Sequence, residues 1–483
     1  MLFNSLQFLA FFPIVTLLYY ATPSRWRWLP LLVSSCYFYM AFVPRYIWIL
    51  GVTIVVDYAA GLLIARSSGR RRKAWLIVSI VANVGFLAYF KYFGFIVENL
   101  KVATHAVALD WRYPTLNIIL PIGLSFHIFQ SLSYTIEVYR GKQAPERHFG
   151  IYALYVMFYP QLVAGPIERP QNLLHQFHAE HPFAVHSLIR GIQRMVWGLY
   201  KKVVIADRIS PMVSRVYDHV QGQHGLPLVL ATLAFTLQIY CDFSGYSDIA
   251  IGAAEVMGIQ LMENFRCPYS ASSISEFWTR WHISLSRWFR DYVYVPLGGN
   301  RHGEPKQLRN LLIVFLLSGL WHGARWTFVV WGALHALYVV VERLIHGGLH
   351  SSRHVSGKMR AFFSNALVVG LVAFAWIFFR ATSFVDGWYI ATHLLGGLGH
   401  QLVSRAGLVE AVAVVSPSRR EAAVAIAAVL VMRWVERQDE RSDFRAKLAA
   451  LPMWQRWPIY YTALFAVILL GVFTNDSFIY FQF

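Results

Sequence analysis

The sequence predicts an all-α polytopic membrane protein of about eleven transmembrane helices, with re-entrant or interfacial helices between them. Three observations carry this. Hydrophobic residues make up 57% of the 483-residue chain and charged residues only 14%. Mean hydropathy is +0.45, and the apolar share exceeds the roughly 45–50% of soluble domains. The apolar residues fall in long runs, many close to the ~20 residues that cross a hydrocarbon core. Finally, 43 Lys and Arg stand against 25 Asp and Glu, for a net charge of +18. These charges sit mainly in short segments between the runs, the positive-inside pattern of a multi-pass chain in a lipid bilayer, not a nucleic-acid surface.

Taken in order, Leu2–Ala21 is a first, uncleaved span, because it lacks a basic n-region and a small-residue cleavage site. Leu29–Val43 and Tyr46–Ala65 follow as two closely linked spans. The run RSSGRRRK at Arg66–Lys73 is the densest basic stretch and is expected in the cytoplasm. Counting back three spans places the N-terminus outside. Ala74–Val97 then crosses outward, with Lys91 interrupting it near its end, and Lys101–Pro114 is an external loop. Thr115–Tyr139 returns and ends in Arg140, Lys142 and Arg147. Phe149–Ala164 is apolar, and the following GPIERP cannot be regular helix because both prolines constrain it, so an irregular piece buried by protein is expected. Ala184–Arg208 is amphipathic, with Arg190, Arg194, Lys201 and Lys202 along a surface helix or a heavily flanked span. Gly225–Ile259 is apolar but carries Asp242 and Asp248. Beyond Trp326 the apolar pattern runs to Glu342, a basic loop with His346, His350 and His354 follows, and Phe362–Arg380, Ala422–Met432 and Tyr460–Phe473 complete the set. The chain is expected to be a single integral-membrane domain over 1–483, with a motif core at 238–342.

The stretch 276–326 departs from this pattern. Its first half, EFWTRWHISLSRWFRDY, is too polar to span a bilayer and too aromatic for a solvated loop. Helical spacing puts Arg280, Ser284, Arg287 and Asp291 on one face, which predicts a helix along an interface or dipping in against other helices, with Arg287 and Asp291 able to pair. Its second half turns apolar. In a helix starting at Arg309, His322 sits ~20 Å along the axis, inside a ~30 Å hydrocarbon core. Gly319 and Gly323 bracket it and leave room for another group to approach. An ionisable group at that depth usually faces a cavity with work to do.

FWTRWHISLSRWFRDYVYVPLGGNR followed by SGLWHG resembles the signature of the membrane-bound O-acyltransferases, in their bacterial branch. LPIGLSFHIFQSLSY (120–134), YPQLVAGPIERP (159–170), QIYCDFSGYSDIAIG (238–252) and the tail FIYFQF (478–483) extend the resemblance over most of the chain. It implies a helical bundle with a thin centre and a tunnel reaching His322 from both sides. The donor it implies is acetyl-CoA or another cytoplasmic acyl thioester, with no bound cofactor. The acceptor it implies is a hydroxyl of a periplasmic polysaccharide such as alginate, reached directly or through a periplasmic acetyltransferase-like partner protein, in an inner-membrane setting.

His322, in SGLWHG, matches the family's central histidine and is the candidate general base; the bland alternative is a histidine satisfied by backbone carbonyls. His282 is the second catalytic candidate, able to orient the donor or hydrogen-bond a developing oxyanion, against the alternative of an interfacial histidine packed on Trp281. Trp321, Asn300 and Asp242 are the candidate substrate contacts, although Asn300 also fits a turn after Gly298-Gly299 and Asp242 also fits an ion pair. His127, His335 and Glu276 read as structural. No histidine pair has metal-ligand spacing and three cysteines make neither a CxxC pair nor a disulfide framework, so no metal is expected. D-alanyl transfer to a cell-wall polymer, a transporter with a buried proton relay, and a non-enzymatic export scaffold are the competing readings.

Overall fold

In a computed structural model, residues 1–107, 121–163, 165–346, 357–416, 418–442, 444–473 and 479 are described. The described secondary structure is helical throughout. Five helical runs are long and apolar enough to cross a membrane: Pro44–Arg66, Gly69–Ala106, Leu226–Val256, Trp326–Ile345 and Met359–Arg380. Leu6–Ala21 is a shorter apolar helix. This is a multi-pass membrane protein. The loop with His350 and His354 and most of the FIYFQF tail lie outside the described residues, as do 108–120.

Close contacts divide the chain into two compact units, one of residues 1–192 with 250–262, the other of residues 193–249 with 263–483. In the first, Ile47–Arg66, Gly69–Leu87 and Leu124–Tyr139 pack on one another. Their shared core is polar at one point. The Ser79 hydroxyl donates to Asp57 Oδ1 at 2.6 Å, and Asn83 Nδ2 donates to both Asp57 oxygens at 2.9 Å. No sequence periodicity marked Asp57, because its partners come from another helix. The expected loop at Lys101–Pro114 begins as helix, since the run from Gly69 stays helical to Ala106. A π-helical turn at Ala88–Tyr92 holds Lys91, whose Nζ donates to Ser125 Oγ at 3.3 Å. The GPIERP piece is non-helical and buried, as its prolines require, and Pro170 opens the next helix. Within it the fully buried Glu168 accepts the Met262 backbone N–H, and burial pushes its carboxyl up to about 7.

In the second unit, the helix that ends at Leu199 runs on as a π-helical segment, Tyr200–Ala206. Lys201 and Lys202 are not on a surface helix. Both are buried, Lys202 Nζ lying 2.7 Å from both Asp207 and Asp242, and Lys201 Nζ 2.5 Å from Asp248. Arg194 Nε also reaches Asp248, at 3.0 Å. Buried charges persist only when paired in this way, and the sequence alone could not show that the pairs meet.

Helices Glu304–His322 and Trp326–His346 form an antiparallel hairpin. Two glycines set its closeness. A Cβ on Gly319 would meet the Phe328 carbonyl oxygen at 2.3 Å, and one on Gly332 would meet that of Phe315 at 2.4 Å. Small residues at such crossings let membrane helices approach. The group admitted by Gly319 is therefore the next helix of the same chain.

Candidate active site

The stretch 276–292 is not one interfacial helix. Ile274–Arg280 ends, His282 adopts a left-handed conformation (φ 42°, ψ 55°), and Ile283–Phe289 starts again. A non-glycine residue there costs about 1–2 kcal/mol. The first short helix is capped by Ser273, whose Oγ accepts the Glu276 N–H at 3.0 Å, while Glu276 Oε2 accepts the Ser272 N–H at 2.8 Å. Glu276 is thus structural. Asp291 is engaged by its neighbour Arg290, at 2.8 Å.

The break is braced by Asn264. Its backbone carbonyl accepts the Ile283 N–H at 2.9 Å, and its side-chain Oδ1 accepts both the Ser284 hydroxyl at 2.9 Å and the Ser284 N–H at 3.3 Å. Asn264 Nδ2 donates to Ser247 Oγ at 3.2 Å. Because a backbone N–H can only donate, the amide oxygen is the atom facing this side. His282 Nδ1, 3.1 Å from the same oxygen, must then carry the proton, and Nε2 carries the ring's lone pair. Burial pushes the imidazole down to about 3, so His282 is neutral near pH 7. In this tautomer Nε2 accepts a hydrogen bond. The expected donation to an oxyanion would require a second proton that burial disfavours.

His322 is the last residue of its helix, not a mid-helix residue: Gly323 turns to extended backbone. The imidazole is buried and walled by Trp321 (ring centroids 4.9 Å apart), Trp331 (5.0 Å) and Phe379 (5.3 Å). The His282 ring is 6.5 Å away and meets Phe243 edge-on at 4.7 Å and Trp321 at 6.0 Å. The structure therefore brings together His322, His282 and Trp321. His335 stands one ring further on, 5.0 Å from Trp331.

The other two candidates have different surroundings. Asp242 pairs with Lys202 and accepts the Ile479 N–H at 2.8 Å. Asn300 lies exposed in a turn. The buried amide near that turn is Asn310. Its Nδ2 donates to the carbonyls of Leu297 (3.2 Å) and Gly299 (3.1 Å). Sequence reasoning missed Asn264, Trp331 and Phe379. Asn264 lies between two elements, where no period applies, and the aromatic residues look like any other packing residues.

Residues 146–385 match the membrane-bound O-acyltransferase family. The chain is 39% identical over 392 residues to the probable alginate O-acetylase AlgI of Azotobacter vinelandii, covering 80% of this chain and 77% of that protein. The chain belongs to the membrane-bound O-acyltransferase family. It is an acyltransferase, and the hairpin carrying His322 lies inside the matched region. The peptidoglycan O-acetyltransferase of Helicobacter pylori is 33% identical over 431 residues, covering 82% of this chain and 80% of that protein. The teichoic acid D-alanyltransferase of Bacillus subtilis is 28% identical over 238 residues, covering 47% and 60%. Among the described residues, no group of three or more His, Cys, Asp or Glu could hold a metal ion.

Proposed function

We propose that this acyltransferase moves an acetyl group from a cytoplasmic thioester, acetyl-CoA in the simplest case, to hydroxyls of a periplasmic polysaccharide of the alginate type. Delivery is direct or through a periplasmic partner protein with acetyltransferase character. The observation that carries the reading is the pair of buried imidazoles, 6.5 Å apart between aromatic walls, in a chain similar over four fifths of its length to O-acetylases. Acetyl transfer is favoured over D-alanyl transfer because the D-alanyltransferase similarity covers under half of the chain.

In this reading His322 is the base. It takes the proton of the acceptor hydroxyl as the oxygen attacks the thioester carbonyl carbon. The tetrahedral intermediate collapses, the C–S bond breaks, and the imidazolium returns its proton to the departing thiolate. Neutral His282 orients the reacting groups by accepting through Nε2, and Trp321 forms the wall between the two rings. Asp242 and Asn300 have no part in this step. The reading needs a passage to His322 from each aqueous phase, an inner-membrane location with the N-terminus in the periplasm, and about eleven crossings in all.

The test is His322→Ala and His322→Gln in vesicles supplied with labelled acetyl-CoA and polymer. Loss of acetyl transfer by about 10²-fold or more, with unchanged membrane insertion and melting temperature, is expected. Normal acetylation in either variant overturns the assignment.

A further inference from the structure

We infer that one end of the first unit is a binding surface for the phosphodiester headgroups of anionic phospholipids. Two basic runs about seventy residues apart in sequence meet there. Arg66 closes the Pro44–Arg66 span, Arg70, Arg71 and Lys73 open the next, and Arg140 and Lys142 follow Leu124–Tyr139; all six are exposed. Arg72 is the brace that joins them. Its Nη2 donates to the carbonyl oxygens of Val138 (3.2 Å) and Tyr139 (2.7 Å), and its guanidinium lies 5.4 Å over the Tyr139 ring.

The carboxylates nearby are already engaged. Glu137 pairs with Arg140 at 3.2 Å and accepts Gln171 Nε2 at 2.8 Å, and Glu146 meets His178 at 2.8 Å. Among the described residues, no carboxylate is within ion-pair range of Arg66, Arg70, Arg71, Lys73 or Lys142. The surface is thus strongly cationic and needs anions from outside the chain.

Position decides which anion. The helices that carry these charges turn apolar side chains outward: Trp48, Val52 and Val55 on one, Ile77, Val81 and Val84 on the other, each at least 47% exposed. Ile77 is four residues past Lys73, about 6 Å along the axis. Lys73 therefore stands about one turn above an outward-facing apolar stripe, Ile77, Val81 and Val84, at the level that lipid phosphates take at a hydrocarbon edge. Both runs were expected on the cytoplasmic side, where anionic lipids concentrate. The inference is independent of which acyl group is moved.

The experiment uses the full-length protein in nanodiscs of phosphatidylcholine with or without phosphatidylglycerol, and the variant Arg70→Gln/Arg71→Gln/Lys73→Gln. Each basic residue near the surface is worth ~1 kcal/mol, about fivefold, so the triple variant should bind phosphatidylglycerol roughly 100-fold more weakly. Its melting temperature in pure phosphatidylcholine should equal that of the native chain, which separates lost binding from lost folding. The native chain's preference should shrink with added salt. Equal response to the two lipids, or equal binding by native chain and variant, overturns the inference. So does displacement of the lipid by free acetyl-CoA together with a raised KM for it in the variant, since the surface would then serve the donor.

Discussion

The second unit contains two buried polar regions built on opposite rules. Around Lys201 and Lys202 charge answers charge: Asp248, Asp207 and Asp242 lie within 2.7 Å of a lysine nitrogen, and Arg208 pairs with Glu421. Around His282 and His322 the walls are aromatic, and His282 is neutral by burial. The first region is closed by the chain's own partners and holds helices together. The second keeps two imidazole rings in an apolar shell, where a reacting group gains most from a hydrogen bond because water is excluded. Stability and chemistry are therefore separable by mutation.

The largest effect expected is on the charged region. Lys202→Met leaves Asp207 and Asp242 buried without their cation, and should cost about 3–5 kcal/mol. Melting temperature and membrane yield should both fall; a stable variant with full yield would show that the network is not structural. Next comes Asn264→Leu, which removes the acceptor that sets the His282 tautomer. Acetyl transfer should fall about 10²-fold, with a smaller loss of stability. An unchanged rate would mean that His282 needs no orientation.

Gly319→Ala places a methyl 2.3 Å from the Phe328 carbonyl. It should cost about 1–3 kcal/mol by pushing the hairpin apart, read as a lower melting temperature together with lower activity. Activity retained at full stability would show that the hairpin tolerates a wider spacing. The last effect is a pH slope, spread over several pH units. His282 has its folded value lowered to about 3 against ~6.5 when unfolded. The unfolded chain thus binds the extra proton first. The stabilisation is complete above pH ~6.5 and is lost as pH falls towards 3, by up to about 1.4 kcal/mol per pH unit. His282→Phe should flatten that part of the stability curve; an unaltered slope would place the titration elsewhere.

How legible each region was differs in an instructive way. Leu226–Val256 and Met359–Arg380 were readable as spans because bulk hydrophobicity is a local property of the chain. His322 was readable as a candidate because a lone imidazole between glycines, after an apolar run broken only by Ser318-Gly319, is costly unless used. The stretch 276–292 was misread as a single helix. Its period is helical on either side of His282, but the backbone reverses hand there, where Asn264, eighteen positions earlier, holds His282, Ile283 and Ser284. Lys201 and Lys202 stayed open between a surface helix and a flanked span for the same kind of reason, since nothing local shows that carboxylates stand opposite.

The amino-acid sequence by itself determined that this is a helical membrane protein, which runs are apolar and which histidines are candidates, because transfer from water to lipid is decided residue by residue and the chain adds up those preferences. Only the tertiary structure decided which candidates meet. His282 and His322 became neighbours, Asp242 became a lysine's counter-ion, and Asn300 was left on the surface, because a buried polar group is defined by the partners that other helices bring to it.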